Sequence, residues 1–92
     1  MNILYVASEV SPFAASGGLG DVMGALPKTL KRLAGKETGV GVVMPLYSSI
    51  PETYRQKMRL LDEFEFMYGW RHAYCGVFTL RMDGVDYYFI DN

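Results

Sequence analysis

The chain has 92 residues, of which half are apolar and 21% are charged, and its nine basic and ten acidic side chains give a net charge of −1. This length allows one modest domain, and the composition excludes a disordered tail and a collagen-like repeat. The balanced charge argues against a nucleic-acid partner, and no apolar run approaches the roughly 18 residues of a membrane span. With one cysteine and one histidine, the chain has no internal disulfide, and we expect neither a metal site nor a cofactor.

Two apolar runs in the first half of the chain predict buried strands. Residues Ile3 to Ala7 form a nearly continuous apolar segment, and Val40 to Met44 form a second one that ends at Pro45. Such runs are typical of parallel strands that are covered on both faces. With the helical pattern between them, they predict a βαβ unit.

The segment between these strands repeats its apolar residues with the period of a helix. Asp21 is a candidate N-cap and Gly35 a candidate end of this helix. Pro27 conflicts with a helix interior, and we expect a kink or a loosened turn near Met23. The expected apolar face consists of Val22, Leu26, Leu30 and Leu33.

The second half has the pattern of an antiparallel meander. A short helix is expected over Thr53 to Arg59, with Pro51 in its first turn. Alternation from Phe64 to Tyr68 and the run from Ala73 to Met82 predict two strands. Asp83-Gly84 before a third, Val85 to Ile90, is a strong hairpin signal. The expected fold class is therefore α/β, a partial Rossmann-like domain in which a βαβ unit is followed by a β meander in one mixed sheet.

The segment Ser16-Gly17-Gly18-Leu19-Gly20-Asp21 is the part of the sequence with chemical content. It lies between the first strand and the first helix, where open α/β sheets bind ligands through glycine amides and helix N-termini. A sugar nucleotide, a dinucleotide or a simple phosphate would suit such a loop. The alternative is that the glycines only allow a tight turn.

Two well-known phosphate motifs do not fit this loop. A Walker A sequence requires Gly-Lys-Ser/Thr, which the chain lacks. A dinucleotide fingerprint requires G-x-G-x-x-G, but after Gly18 and Gly20 the third glycine, Gly24, comes one position late. No acidic residue follows the second strand, which ends in Val43-Met44-Pro45. NAD binding is therefore disfavoured.

Several segments together resemble the amino-terminal part of bacterial glycogen synthases and plant starch synthases. The matching segments are Ile3-Leu4-Tyr5-Val6-Ala7-Ser8-Glu9-Val10, Pro12-Phe13, Ser16 to Val22, Gly24-Ala25-Leu26-Pro27, Val42-Val43-Met44-Pro45 with Tyr47, Gly69-Trp70-Arg71 and Tyr88-Phe89-Ile90-Asp91. The resemblance implies the GT-B arrangement, with an active site between two Rossmann-like domains. It also implies transfer of glucose from ADP-glucose to the non-reducing end of an α-1,4-glucan, with retention of configuration.

The resemblance also implies roles for the glycine loop. Gly17 and Gly18 would approach the donor phosphates closely. The family's loop usually reads Lys-Thr-Gly-Gly-Leu, so Ser16 replaces the threonine hydroxyl, and Ala15 stands where the family has a lysine that reaches the sugar nucleotide. Donor contacts from this loop would then depend on backbone amides, on the helix end, or on cations elsewhere.

Other candidate residues have two readings each. Asp21 would bind a sugar hydroxyl or only cap the helix, and Glu9 would hold an acceptor hydroxyl or only end a strand. His72 is interpreted as a surface residue and Cys75 as a small core residue. The aromatic set could stack on glucan rings, but alternation is more typical of sheet cover, and we interpret Trp70 and Tyr74 as structural. This set is Phe64, Phe66, Tyr68, Trp70, Tyr74 and Phe78.

The resemblance implies that residues 1–92 form an incomplete catalytic domain, because the family's Arg, Lys and Glu that stabilise the departing diphosphate belong mainly to the second domain. ADP-glucose and α-glucan would be partners of the full-length enzyme, and we expect the isolated chain to be inactive. Open apolar faces and an unpaired strand edge predict a homo-oligomer. The expected location is the bacterial cytosol. The alternative functions are a small nucleotide- or phosphate-binding module and a structural domain without catalysis.

Overall fold

The chain folds around one mixed five-stranded sheet, and the computed structural model describes residues 1–14 and 17–92. The elements are β1 (Asn2–Val6), α1 (Gly18–Ala34), β2 (Gly39–Pro45), α2 (Glu52–Arg55), β3 (Arg59–Tyr68), β4 (Arg71–Met82) and β5 (Val85–Asp91). The strand order is β1-β2-β5-β4-β3. The first three strands in this order are parallel, and β4 pairs antiparallel with both β5 and β3. The predicted βαβ unit and meander in a mixed sheet are confirmed.

The turn between β4 and β5 has the backbone that its sequence predicts. Asp83 has φ of 53° and Gly84 has φ of 77°, and positive φ at both central residues is the requirement of a type I′ hairpin turn. The turn sets the register, with Met82 opposite Val85. The hairpin prediction is therefore confirmed.

The hydrophobic core lies on one face of the sheet. Alternate residues of β2 and β5 are buried there, and the segment after β1 covers them. The Phe13 ring packs edge-on against Tyr54, Tyr87 and Phe89, with centroids 4.9 to 5.1 Å away. The segment that follows β1 is therefore anchored in the core, and its position is fixed relative to the strand ends.

The opposite face of the sheet is open. Successive strand residues point to opposite faces, so Leu4 and Val6 in β1 lie on the face away from the core, and they are 59% and 79% exposed. Phe64 and Phe66 in β3 lie on this same face and are about half exposed. Apolar side chains on this face are therefore left in contact with solvent. The prediction that β1 is a buried strand covered on both faces is wrong, because only one of its faces packs against the core.

The prediction for the packed face of α1 is wrong. Gly20, Gly24 and Pro27 are the buried residues of the helix. Of the four residues predicted to form the buried face, Val22, Leu26 and Leu33 are 55%, 46% and 77% exposed, and Leu30 is half-buried. The backbone around Ser11 lies so close to the helix that a Cβ at Gly24 would come within 2.6 Å of the Ser11 carbonyl oxygen. Close approach of two backbones requires a face without side chains, which an apolar period does not reveal. The helix continues without a break through Pro27.

Two boundaries also differ from prediction. Asp21 is not the N-cap, since α1 begins at Gly18 and its N-cap is Gly17. Asp21 lies in the first turn, where an acidic side chain interacts favourably with the helix dipole. The second helix was expected over Thr53 to Arg59 with Pro51 in its first turn. It spans only Glu52–Arg55, with Pro51 as its N-cap, and β3 begins at Arg59.

The predicted end of α1 is confirmed. Gly35 is the C-cap, with φ of 84°, a backbone conformation that glycine adopts without strain. Lys31 donates from its ammonium group to the carbonyl oxygens of Gly35 and Thr38 at 3.2 and 2.5 Å. In the described ranges, no helix combines the length and apolar content needed to cross a membrane.

Candidate functional site

The carboxyl ends of β1 and β2 meet at one edge of the sheet, because the two strands are parallel. The Ala7 N–H donates to the Val43 carbonyl at 3.0 Å and extends this pairing to the end of β1. Beyond the strands, the Tyr47 hydroxyl donates to the Ser8 carbonyl at 2.9 Å. The segments that follow the two strands are therefore joined, and they form the edge at which open α/β sheets bind ligands.

A cavity of about 480 Å³ opens between these two segments. Its polar groups are the Glu9 carboxyl and the hydroxyls of Tyr47 and Ser49, and its apolar wall includes Phe13 and two prolines. The lining residues are Glu9, Pro12, Phe13, Ala14, Tyr47, Ser49 and Pro51. An apolar wall with a few fixed polar groups is the usual form of a small-molecule site. The structure therefore places Glu9 in the lining of this cavity, close to the carboxyl end of β1.

Contacts from α2 hold the Tyr47 side of this cavity. Arg55 donates from its guanidinium group to the Tyr47 carbonyl at 2.9 Å, and the Glu52 carboxylate lies 3.8 Å from the same guanidinium. The Tyr47 backbone is thus tied to α2, and its ring is tied to the β1 side through Ser8. Both walls of the cavity are positioned by hydrogen bonds, which favours a site that exists before a ligand binds.

The start of α1 has no side-chain cap in the part of the chain that the structure describes. Gly17 is extended and Gly18 is the first helical residue. The first N–H groups of a helix have no intrahelical acceptor, and together with the helix dipole they attract anions. A Cβ at Gly17 or Gly18 would meet no atom within 4 Å. Neither has a positive φ, so the structure shows no turn there that requires glycine, and the missing side chains leave open space next to the amides.

Asp21 lies on a different concavity from Glu9. It lines a hollow of about 390 Å³ together with Ser11, Gly24 and Lys28. The Lys28 ammonium lies 3.2 Å from an Asp83 carboxylate oxygen. Asp21 and Glu9, both candidates for sugar contacts, therefore line two neighbouring hollows that share Pro12. Ala15 and Ser16, the two remaining candidates, lie outside the described residues.

Sequence reasoning missed part of the cavity. Phe13 and Tyr47 were noted only as parts of a family pattern, and Ser49 was not noted as a site residue at all. One signal was available for Tyr47, which follows the carboxyl end of β2 by two residues, where ligand-binding residues concentrate in open α/β sheets. No sequence signal could place Phe13, because its role depends on long-range ring contacts with Tyr87 and Phe89.

The aromatic residues of the second half are less covered than their structural interpretation suggests. Trp70 is 87% exposed, and the Arg71 guanidinium lies 5.9 Å from its ring centroid. Tyr74 is also exposed and donates from its hydroxyl to Glu63 at 3.1 Å. The side chain of Tyr68 lies outside the described part of the chain. His72 is exposed, which confirms its surface interpretation. Cys75 is half-buried and lies outside the hydrophobic core, so its interpretation as a core residue is wrong.

Comparisons with known proteins agree with the resemblance in the sequence. The family model of the starch synthase catalytic domain matches residues 2–92. The glycogen synthases of Clostridium novyi and Lactobacillus acidophilus are 54% and 48% identical over all 92 residues, which span 19% of each relative. The chain therefore spans about a fifth of the length of the curated relatives it matches.

A solved structure shares the fold. The catalytic domain of starch synthase IV from Arabidopsis thaliana, bound to ADP and acarbose, has a TM-score of 0.77 and 27% identity, with 97% of this chain and 18% of that chain covered. The match to the whole five-stranded sheet and its helices identifies the fold as the amino-terminal part of a GT-B glycosyltransferase domain. With the family model, the sequence relatives and the fold in agreement, the chain belongs to the starch synthase catalytic domain family.

Proposed function

We propose that this chain contributes one wall of the active-site cleft of a retaining glucosyltransferase. The reaction is transfer of glucose from ADP-glucose to the non-reducing end of an α-1,4-glucan, and the proposed location is the bacterial cytosol. The proposal is supported by the bacterial glycogen synthases to which the chain is similar and by the ADP and acarbose bound to the similar starch synthase IV.

The uncapped start of α1 is the observation that carries this proposal. It combines free N–H groups, the positive end of a helix dipole and open space at two glycines, which suit the diphosphate of the donor. We assign the donor phosphates to the amides of Gly17 and Gly18, and we propose that the Ser16 hydroxyl also binds the donor. Since Ala15 has no ammonium group, the helix end supplies the electrostatic attraction from this loop.

We assign the acceptor side to the cavity that contains Glu9. Its carboxylate would accept a hydrogen bond from a glucan hydroxyl, while the Tyr47 and Ser49 hydroxyls and the ring of Phe13 surround the sugar. Asp21 would bind a different sugar hydroxyl or hold the start of α1, because it lies on the separate hollow with Lys28. The two carboxylates therefore have separate roles.

We propose that the isolated chain does not catalyse the transfer. A departing diphosphate needs fixed positive charge and exclusion of water during the reaction, and this chain spans only about a fifth of the length of its relatives. A chimaera in which this chain replaces the matching segment of the Clostridium novyi relative tests the activity. We expect the chimaera to incorporate labelled glucose into glycogen from ADP-glucose, and the 92-residue chain to incorporate none.

The donor assignment has its own test in the isolated chain. Gly18→Pro removes one N–H at the first helical position, where proline is tolerated, and Gly18→Ala keeps that N–H in the same open space. We expect ADP to shift the amide NMR signals of residues 17 to 21 in the parent and in Gly18→Ala, and to bind several-fold more weakly to Gly18→Pro. Equal binding by both variants would contradict the phosphate assignment. Binding without transfer by the chimaera would favour a nucleotide-binding module.

We also propose that the isolated chain self-associates. Its open sheet face exposes Leu4, Val6, Phe64 and Phe66, and apolar side chains exposed in this way favour association. A light-scattering series from low micromolar concentration upward tests this, and we expect a mass above that of the monomer.

A further inference from the structure

Glu9 lies beyond the end of the paired strands. β1 ends at Val6, and the Ala7 N–H adds one more hydrogen bond to β2. Glu9 follows two residues later and lines the cavity between the segments after β1 and β2. A side chain in such a position keeps one direction for a ligand only if neighbouring contacts hold the backbone that carries it. The contacts on either side of Glu9 therefore decide how well its carboxylate is placed.

The backbone after Glu9 is held by the core. Val10 is fully buried, its N–H donates to the Ala14 carbonyl at 2.8 Å, and its carbonyl accepts from the Ala14 N–H at 2.9 Å. The Phe13 N–H also donates to the Val10 carbonyl, at 2.9 Å. Because several backbone contacts act together here, this anchor does not depend on any single side chain.

The backbone before Glu9 is held by a side chain from the other wall of the cavity. The Tyr47 hydroxyl donates to the Ser8 carbonyl at 2.9 Å. That carbonyl belongs to the peptide group that joins Ser8 to Glu9, and this group is planar. The hydrogen bond therefore restricts the orientation of the Glu9 N–H and, with it, the direction in which the Glu9 side chain leaves the backbone.

Tyr47 has a fixed base from which to make this contact. Its carbonyl accepts from the Ile50 N–H at 3.2 Å and from the Arg55 guanidinium at 2.9 Å. Ile50 is buried in the core. A tyrosine hydroxyl has one hydrogen to donate, and here Ser8 receives it. The Tyr47 hydroxyl therefore cannot donate to a ligand while it holds the Ser8 carbonyl.

We propose that Tyr47 is a positioning residue for Glu9, acting on the glucan through the Ser8–Glu9 peptide and not by donating to the sugar. This inference rests on the proposed function, because it takes the cavity with Glu9 as the acceptor site. A contact that already exists before the glucan binds reduces the cost of ordering the site on binding. The affinity for the glucan therefore depends on Tyr47, whereas the donor, assigned to the start of α1, is bound independently of it.

The first test is the kinetics of the chimaera with two matched variants. Tyr47→Phe removes the hydroxyl and keeps the ring. Tyr54→Phe makes the same change at a tyrosine whose ring packs against Phe13 and which is not among the described lining residues of the cavity. We expect Tyr47→Phe to raise the KM for glycogen about threefold to tenfold, as the loss of one hydrogen bond implies, and to leave the KM for ADP-glucose unchanged. Tyr54→Phe should change neither KM.

The second test is a double-mutant cycle with Glu9→Ala, which separates action through Glu9 from direct contact with the glucan. Glu9→Ala removes the carboxylate that Tyr47 positions, and we expect it to raise the KM for glycogen. In the Glu9→Ala background, we expect Tyr47→Phe to change that KM less than about twofold, because coupled residues are not additive. Effects of the two substitutions that multiply would contradict action through Glu9.

The outcomes distinguish this inference from the proposed function. An inactive chimaera overturns the proposed function and this inference with it. In an active chimaera, a KM for glycogen that Glu9→Ala leaves unchanged overturns the acceptor assignment and the positioning role together. If Glu9→Ala raises that KM while Tyr47→Phe does not, or if Tyr47→Phe raises the KM for both substrates, only the positioning role of Tyr47 is overturned.

Discussion

Gly24→Ala should destabilise this chain, because Gly24 lies in close contact with Ser11. Gly→Ala within a helix usually gains about 1 kcal/mol. In this chain, a Cβ at Gly24 would lie 2.6 Å from the Ser11 carbonyl oxygen and 2.9 Å from the Ser11 Cβ. The nearest atom belongs to the backbone, so a rotamer change cannot relieve the contact. We expect Gly24→Ala to lower the free energy of unfolding.

The size of this effect follows from what must move. Ser11 donates its N–H to the Gly20 carbonyl at 2.9 Å, and a shift of Ser11 away from α1 strains or breaks that bond. Overpacking costs about 1–3 kcal/mol, and loss of the hydrogen bond costs about 1 kcal/mol more. After the gain in helix propensity, we expect a net loss of about 1–3 kcal/mol. A chain of this length has a total stability of about 5–14 kcal/mol.

Urea unfolding followed by far-UV circular dichroism measures this loss. Trp70 is 87% exposed, so its fluorescence would report the transition poorly. Gly18→Ala is the control, because a Cβ there meets no atom within 4 Å, and we expect its midpoint to stay within the error of the parent. A Gly24→Ala chain as stable as the parent, with an unchanged slope, would refute the close-contact argument.

Three further predictions concern stability and donor binding. Burial and the nearby Asp83 charge raise the pKa of Tyr87 to about 12, so the parent should lose about 1.4 kcal/mol of stability per unit as pH rises from about 10 to 12. Tyr87→Phe should lose less there. At pH 7, Tyr87→Phe should be about 1 kcal/mol more stable than the parent, since the buried Tyr87 hydroxyl has no partner among the described residues. A clearly lower free energy of unfolding in urea would contradict this. Lys31→Ala should lower the free energy of unfolding by about 1–2 kcal/mol, because it removes the donor to two carbonyls at the end of α1. Lys36→Ala is the control, and equal urea midpoints for the two variants would contradict a stabilising contact from Lys31. Ala15→Lys in the chimaera should lower the KM for ADP-glucose at least about tenfold, through a charge-assisted contact worth roughly 1.5–3 kcal/mol. Ala34→Lys, at an exposed residue near the end of α1, controls for added charge, and an unchanged KM would contradict donor contact at position 15.

Much of the fold could be predicted because it depends on local signals. The positions of β1 and β2 followed from apolar runs, although only β2 is buried. The hairpin followed from Asp83-Gly84, whose positive φ values few other residue pairs accept. The end of α1 followed from Gly35 for the same backbone reason. The resemblance rested on several short motifs in order along the chain, and the family model matches residues 2–92.

The candidate site was predictable only in part. Residues after parallel strands lie at one edge of the sheet, so the placement of Glu9 follows from its position after β1. The separation of Asp21 from that cavity does not, because it depends on how closely α1 packs against the segment at Ser11. The part played by Phe13 depends on rings far away in sequence.

The sequence by itself determined the order of the elements, the turn geometry and the position of a glycine-rich segment between β1 and α1. The tertiary structure alone decided which face of α1 packs, and it chose Gly20, Gly24 and Pro27 over the apolar residues Val22, Leu26 and Leu33. The physical reason is that the period of apolar residues indicates only which side chains avoid water. How closely two backbones approach depends instead on where bulky side chains are absent, as they are at the glycines of this face.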